Sequence, residues 1–258
     1  MAGLILQMQQ FFLVVIRVGC VLLFMPIWDS RVVSKQIKAY SILVISFALT
    51  PVVAGTLPPF PQTWLETVLL VLRELLLGLS LGLVIKFVFS GVRMAGEFLG
   101  IQMGFGMVSL IDPQSADSST LMADLFMLTA TVLFLAIDGH HLILRVLAQS
   151  FTEVPLGGAP LMPASLFSFL IPMGTLMFQL MVKLVAPMIL VLFLTQIALG
   201  LIARTVPQMQ VMILAFPVTI ALGLVFLSMT LMIMGPYLIG KFAWFKAPLF
   251  QVLRAWHG

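Results

Sequence analysis

Apolar residues run with little interruption through six stretches of this chain: Leu4 to Trp28, Ala39 to Leu57, Trp64 to Phe89, Leu121 to Ile137, Gln179 to Ile202 and Val211 to Tyr237. A bilayer core of about 30 Å takes roughly 20 mainly apolar residues in helical form. Each stretch therefore predicts a spanning helix. Turn-forming residues mark the gaps. Asp29-Ser30-Arg31 closes the first run, Pro58-Pro59-Phe60-Pro61 parts the second from the third, and Pro155 to Pro163, with Gly157-Gly158, breaks the chain before the fifth. Pro187 and Pro217 interrupt the last two runs on either side of Ala203-Arg204-Thr205-Val206-Pro207-Gln208. That pattern predicts two kinked helices joined by a polar turn.

One stretch fits neither pattern. GIQMGFGMVSLIDPQSADSST, Gly100 to Thr120, is too glycine-rich and too broken to span, yet too apolar for a solvated loop. Non-helical backbone at membrane depth is tolerated only where protein or an aqueous cavity surrounds it. Gly104 and Gly106 permit backbone angles closed to other residues, and Asp112-Pro113 biases the chain out of helix. Gly78 and Gly82 are four residues apart, as are Gly96, Gly100 and Gly104, which predicts small helix faces where another backbone approaches closely.

Composition agrees with the pattern: 62% of the 258 residues are hydrophobic and 9% charged, with mean hydropathy +1.20. This is the composition of an integral membrane protein. Met1 to Gln10 carries no Lys or Arg and no cleavage site follows, so the first apolar run is expected to remain. The single cysteine, Cys20, excludes an intrachain disulfide. The net charge of +4 is spread along the chain without the clustered basic face of a nucleic-acid binder.

Basic residues outside six spans divide almost evenly, with Arg31, Lys35, Lys38, Arg93 and Arg204 against Arg145, Lys241, Lys246 and Arg254. So the positive-inside rule barely fixes an orientation. That weak bias suits a chain that does not sit squarely in the bilayer. Charges within or beside the apolar runs are costly against lipid. Arg17, Arg73, Glu74, Glu97 and Asp124 are candidate buried polar contacts, Lys183 another embedded charge, and Lys86 is expected to snorkel from a helix end.

Reactive chemistry is sparse. Asp138-Gly139-His140-His141 puts Asp138 and His141 on one helical face, but no HExxH, CxxC or second histidine pair completes a metal set. A helix-capping turn is the expectation, with no metal and no cofactor. No GxSxG, Walker motif or nucleophile with its base occurs, which argues against an enzyme. A secondary transporter would show interrupted segments at corresponding positions in two halves. The breaks at Gly104 to Thr120 and Pro155 to Pro163 do not correspond.

At LGLIARTVPQMQVMILAFPVTI, Leu199 to Ile220, the sequence closely resembles the R-subunit (FliR/SctT-like) family of type III secretion export gates. So do AGEFLGIQMGFGMVSLIDPQ from Ala95, FLAIDGHHLILRVLAQSF from Phe134 and RVGCVLLFMPIWDSRVVSKQIK from Arg17. The QMG and DP pattern is similar to the flagellar branch. The family usually has Asn at Gln210, Gly at Ala215, Lys at Thr219 and Asn at Asp138. The resemblance implies an all-α polytopic membrane protein of about six long kinked hydrophobic helices. Residues 1–175 would be P-subunit-like and include a plug loop over 104–120; residues 176–240 would form a Q-subunit-like hairpin, and 241–258 an interfacial tail. The implied pore plug is Met103, Gly104, Phe105, Gly106, Met107, Val108, Leu110, Ile111, Asp112 and Pro113, with a cytoplasmic hairpin turn at Arg204, Pro207, Gln208 and Gln210. Implied partners are FliP-like and FliQ-like subunits, an FlhB-like switch subunit, an FlhA-like export subunit, unfolded flagellar substrates and membrane lipid, but no nucleic acid. The implied place is the bacterial inner membrane, within the flagellar basal body and partly raised toward the periplasm.

Overall fold

The computed structural model describes residues 2–29, 33–53, 61, 63–105, 120–158, 160–161, 163, 165–205, 211–244 and 246–257. Among them the regular structure is helical: α1 Ala2–Leu23, α2 Pro26–Asp29, α3 Lys35–Val53, α4 Trp64–Gln102, α5 Leu121–Ala136, α6 Gly139–Glu153, α7 Ser165–Thr205, α8 Val211–Trp244 and α9 Lys246–His257. Among the described residues, three helices are long and apolar enough to cross a membrane: Trp64–Gln102, Leu166–Thr205 and Ala215–Trp256. The pair α5 and α6 adds a fourth only as one broken span.

Several predicted runs prove to be parts of longer helices. The run expected to stop at Phe89 continues through Arg93 and Glu97 to Gln102, because nothing between them breaks a helix. At 1.5 Å per residue α4 is about 58 Å long, well beyond a bilayer core. Lys86 therefore lies inside a helix, not at its end, which corrects the snorkelling expectation. Likewise α7 begins at Ser165 and passes through Pro172 and Pro187 as one 41-residue helix.

The chain forms two compact units. The first comprises Met1–Phe87, Leu135–Gly174 and Phe242–Gly258; the second, Val88–Phe134 and Thr175–Lys241. In the first, α1 packs along α3, while α6 receives both α3 and α9. The C-terminal helix thus has a packed face in the first unit. Leu249, Val252, Leu253 and Trp256 recur at helical spacing and are all buried.

The glycines do what their spacing predicts. In the first unit, a methyl on Gly78 would lie 2.8 Å from Cys20 Cβ and 2.9 Å from Arg17 O, so α4 meets α1 backbone to backbone. In the second unit, a methyl on Gly96 would lie 2.5 Å from Ala123 Cα at the start of α5. Gly96→Ala should therefore destabilise the protein by about 1–3 kcal/mol, since overpacking against backbone outweighs the gain in helix propensity. Gly174→Ala, with nothing within 4 Å, should instead stabilise by up to about 1 kcal/mol. Thermal unfolding in detergent checks both signs.

Candidate functional site

The first half of the broken stretch is anchored in the second unit. α4 ends because Gly104 takes φ 93°, a conformation that glycine adopts readily. Gly104 N–H donates to Ile101 O at 3.0 Å and Phe105 N–H to Gly100 O at 2.9 Å. These are the two bonds of a Schellman termination with Gly104 at the C′ position. Met103, just before it, is fully buried. Its side chain lies where a Cβ on Gly223 of α8 would stand, its carbonyl accepts from Thr219 Oγ1 at 3.4 Å, and the Phe216 ring covers Gly104. Met103 is therefore received by α8 of its own chain. Phe105 is half-buried. Gly106, Met107, Val108, Leu110, Ile111, Asp112 and Pro113 lie outside the described residues.

A buried charge cluster is built in the first unit. Arg17 and Glu74 are both fully buried, with Nε donating to Oε2 at 2.6 Å. Arg17 Nη1 donates to Ser150 O at 2.9 Å and Val154 O at 3.0 Å. The guanidinium stacks 4.3 Å from the Phe151 ring centroid. Glu74 Oε1 accepts the Gly157 N–H at 3.0 Å, and Arg73 Nη1 donates to Gly157 O at 2.9 Å. The end of α6 carries carbonyls without helical donors, and Arg17 supplies both hydrogen bonds and positive charge there. Arg17, Arg73 and Glu74 thus act together on one turn. Glu97 is half-buried and Asp124 exposed. Asp124 stands in the first turn of α5, where a carboxylate is favoured by the helix dipole, so it does not belong to the buried cluster.

Asp138 precedes α6 with φ 57°, ψ 29°, and its side chain makes no cap bond. Instead its carboxylate meets His141 Nδ1 at 3.1 Å, both side chains being exposed. That corrects the capping expectation. One ligand atom each of Asp138, His140 and His141 lies within 4.8 Å of the others, one donor short of a closed structural zinc set.

At the hairpin, Arg204 is exposed at the last turn of α7, and Pro207, Gln208 and Gln210 lie outside the described residues. α7 and α8 run antiparallel in the second unit, with Lys183 facing Tyr237 and Pro187 sharing a cleft with Thr230 and Ile233. Leu180, Leu184, Met188 and Leu192 on α7, and Met234 and Leu238 on α8, are buried.

Long apolar helices, glycine-mediated contacts and a buried ion pair define an α-helical polytopic membrane protein. Residues 8–243 match the family model described as "Bacterial export proteins, family 1". The chain is 31% identical over 230 residues to the flagellar biosynthetic protein FliR of Escherichia coli K12, covering 88% of this chain and 86% of that one. It is 31% identical to FliR of Bacillus subtilis 168, with 84% of each covered, and 29% identical to FliR of Aquifex aeolicus, covering 83% and 82%. The chain belongs to this family of bacterial export proteins, and within it sides with the FliR proteins of the flagellum.

Proposed function

We propose that the chain is the R-type subunit of a flagellar export gate, forming with FliP-like and FliQ-like subunits a pore that passes unfolded flagellar proteins across the inner membrane. An FlhB-like switch subunit and an FlhA-like export subunit are its further neighbours. It performs no catalysis. Residues 1–175 act as the P-like part, 176–240 as the Q-like hairpin and 241–258 as the tail, and the assembly is partly raised toward the periplasm. The observation that carries this reading is the family match along nearly the whole chain. The physical features support it. Helices of 39 and 41 residues are longer than a bilayer requires, and large apolar side chains such as Phe47, Trp64, Ile171 and Met232 stand exposed on the single chain. Neighbouring subunits would cover such surface.

Co-expression with its neighbours followed by detergent extraction tests the proposal. The chain should emerge in one complex of defined mass with stoichiometric P-like and Q-like subunits. Extraction as a monomer despite their presence would defeat the gate reading. Orientation has its own test. In a Gln208→Cys variant, with native Cys20 replaced by Ser, the thiol should be modified by an impermeant reagent only from the cytoplasmic face, and labelling from the periplasm alone would reverse the hairpin.

A further inference from the structure

Three ligand-bearing side chains meet at the turn before α6, within the first unit. Asp138 makes no cap bond, so its carboxylate is not spent on the helix end. It stands instead 3.1 Å from His141 Nδ1. The His140 and His141 rings lie with centroids 4.1 Å apart, although neighbouring residues on a helix do not ordinarily face each other. One donor atom of each of the three lies within 4.8 Å of the other two. The side chains converge.

A second observation, independent of that spacing, concerns His140. Its Nδ1 is buried and has no hydrogen-bond partner among the described residues, whereas buried polar atoms are nearly always paired. A metal ion would use the unspent lone pair of a neutral imidazole there. Bonds of about 2.0–2.2 Å from zinc to nitrogen and to carboxylate oxygen put neighbouring ligand atoms about 3.0–3.5 Å apart. The distance from Asp138 to His141 is already of that size. Both of these side chains are more than half exposed, so rotation can bring the third donor in and an ion can enter from water. As an exposed ion pair alone the contact would contribute little.

The donor set selects the ion. Magnesium and calcium prefer oxygen throughout, while imidazole suits zinc and its neighbours in the first transition row. Two histidines and one carboxylate, with water at a fourth position, make an open zinc arrangement. We infer that Asp138, His140 and His141 bind one divalent ion of the zinc class. The ion would tie the residue before α6 to the first turn of that helix, which Asp138 does not do by capping. All three ligands belong to the first unit, so the inference does not rest on the export reading.

Calorimetric titration of zinc chloride into the full-length chain tests it, with the protein in detergent, without a polyhistidine tag and stripped by a chelator. The parent should bind one ion per chain, and excess magnesium should not displace it. Asp138→Asn, His140→Gln and His141→Gln should each weaken binding at least about tenfold, the smallest loss usual when even an outer partner of a metal site is removed. His257→Gln, which alters the remaining histidine of the chain, should change nothing. Metal-free Asp138→Asn and His141→Gln should unfold at the parent's temperature, because both positions are exposed. That separates loss of a ligand from loss of the fold. No saturable binding by the parent, or undiminished binding in any of the three ligand variants, would overturn the proposal. Binding lost in His257→Gln would overturn it in favour of the tail, and displacement by magnesium would overturn the choice of ion.

Discussion

Arg17→Met should destabilise the chain by about 3–5 kcal/mol, because it strands the Glu74 carboxylate in a site with no access to water. Both side chains are fully buried, so screening by salt should change the loss little. Glu74→Gln should fall in the same range, since it leaves a buried guanidinium short of its counter-charge and weakens the acceptor held by Gly157 N–H. The double replacement Arg17→Met with Glu74→Met should recover a large part of either loss, because two desolvated charges are removed together. Arg17 Nη2 has no hydrogen-bond partner among the described residues, which adds to what the apolar pair regains. Recovery should be incomplete, since the Ser150 and Val154 carbonyls lose their donor. Thermal unfolding of the detergent-solubilised chain, with the four variants set in a cycle, measures the coupling. Single variants within about 1 kcal/mol of the parent would show that the pair fixes nothing.

Features of one backbone are legible in the sequence, and features that depend on distant neighbours are less so. The four-residue glycine spacings foretell the close approaches at Gly78 and Gly96, because a missing side chain on a regular helix has one geometric consequence. Gly91, out of register with them, is as tightly placed: a methyl there would lie 2.6 Å from Met177 O. Its contact is with α7, distant in sequence, and no local pattern marks it. Arg17 and Glu74 each signal burial by being charged in an apolar run, but 57 residues separate them and nothing in either run names the other as partner. The end of α4 misleads in another way. Gly104 reads as freedom for a loop, whereas glycine one residue past the helical C-cap is also a terminator. Met103 before it is then spent on Gly223 and Thr219. The C-terminal segment has a packing partner that its composition does not name. Its Trp256 is 1% exposed, because the apolar positions of α9 share a face that α6 covers, and such a face is compatible with an interfacial segment whose other side carries basic residues.

Replacing Phe105 to Ser115 with a short Gly-Ser linker should leave the export complex assembled and make it leaky to ions and small solutes. We propose that residues 104–115, within the plug loop that the family resemblance implies over 104–120, close the gate's pore, and the expectation rests on that. The replaced residues include Phe105, Met107, Val108, Leu110 and Ile111, apolar groups that neither water nor lipid suits on a broken backbone. Met can fill an irregular gap and still yield to a passing polypeptide. The cut leaves Met103 and Gly104 in place. The helix termination at Gly104 and the seat of Met103 on α8 therefore remain, and the variant tests the loop rather than the fold that holds it. Those anchors also supply a contrasting variant. Gly223→Leu should drive a side chain into the space that Met103 fills, costing about 1–3 kcal/mol or more by overpacking, and should reduce assembly as well as closure. A permanent packing loop and a plug then give opposite results for the linker variant. Loss of the loop's packing would lower the yield of complex, whereas loss of a plug would leave yield unchanged and raise conductance in planar bilayers. An assembled linker variant as tight to ions as its parent would refute the plug.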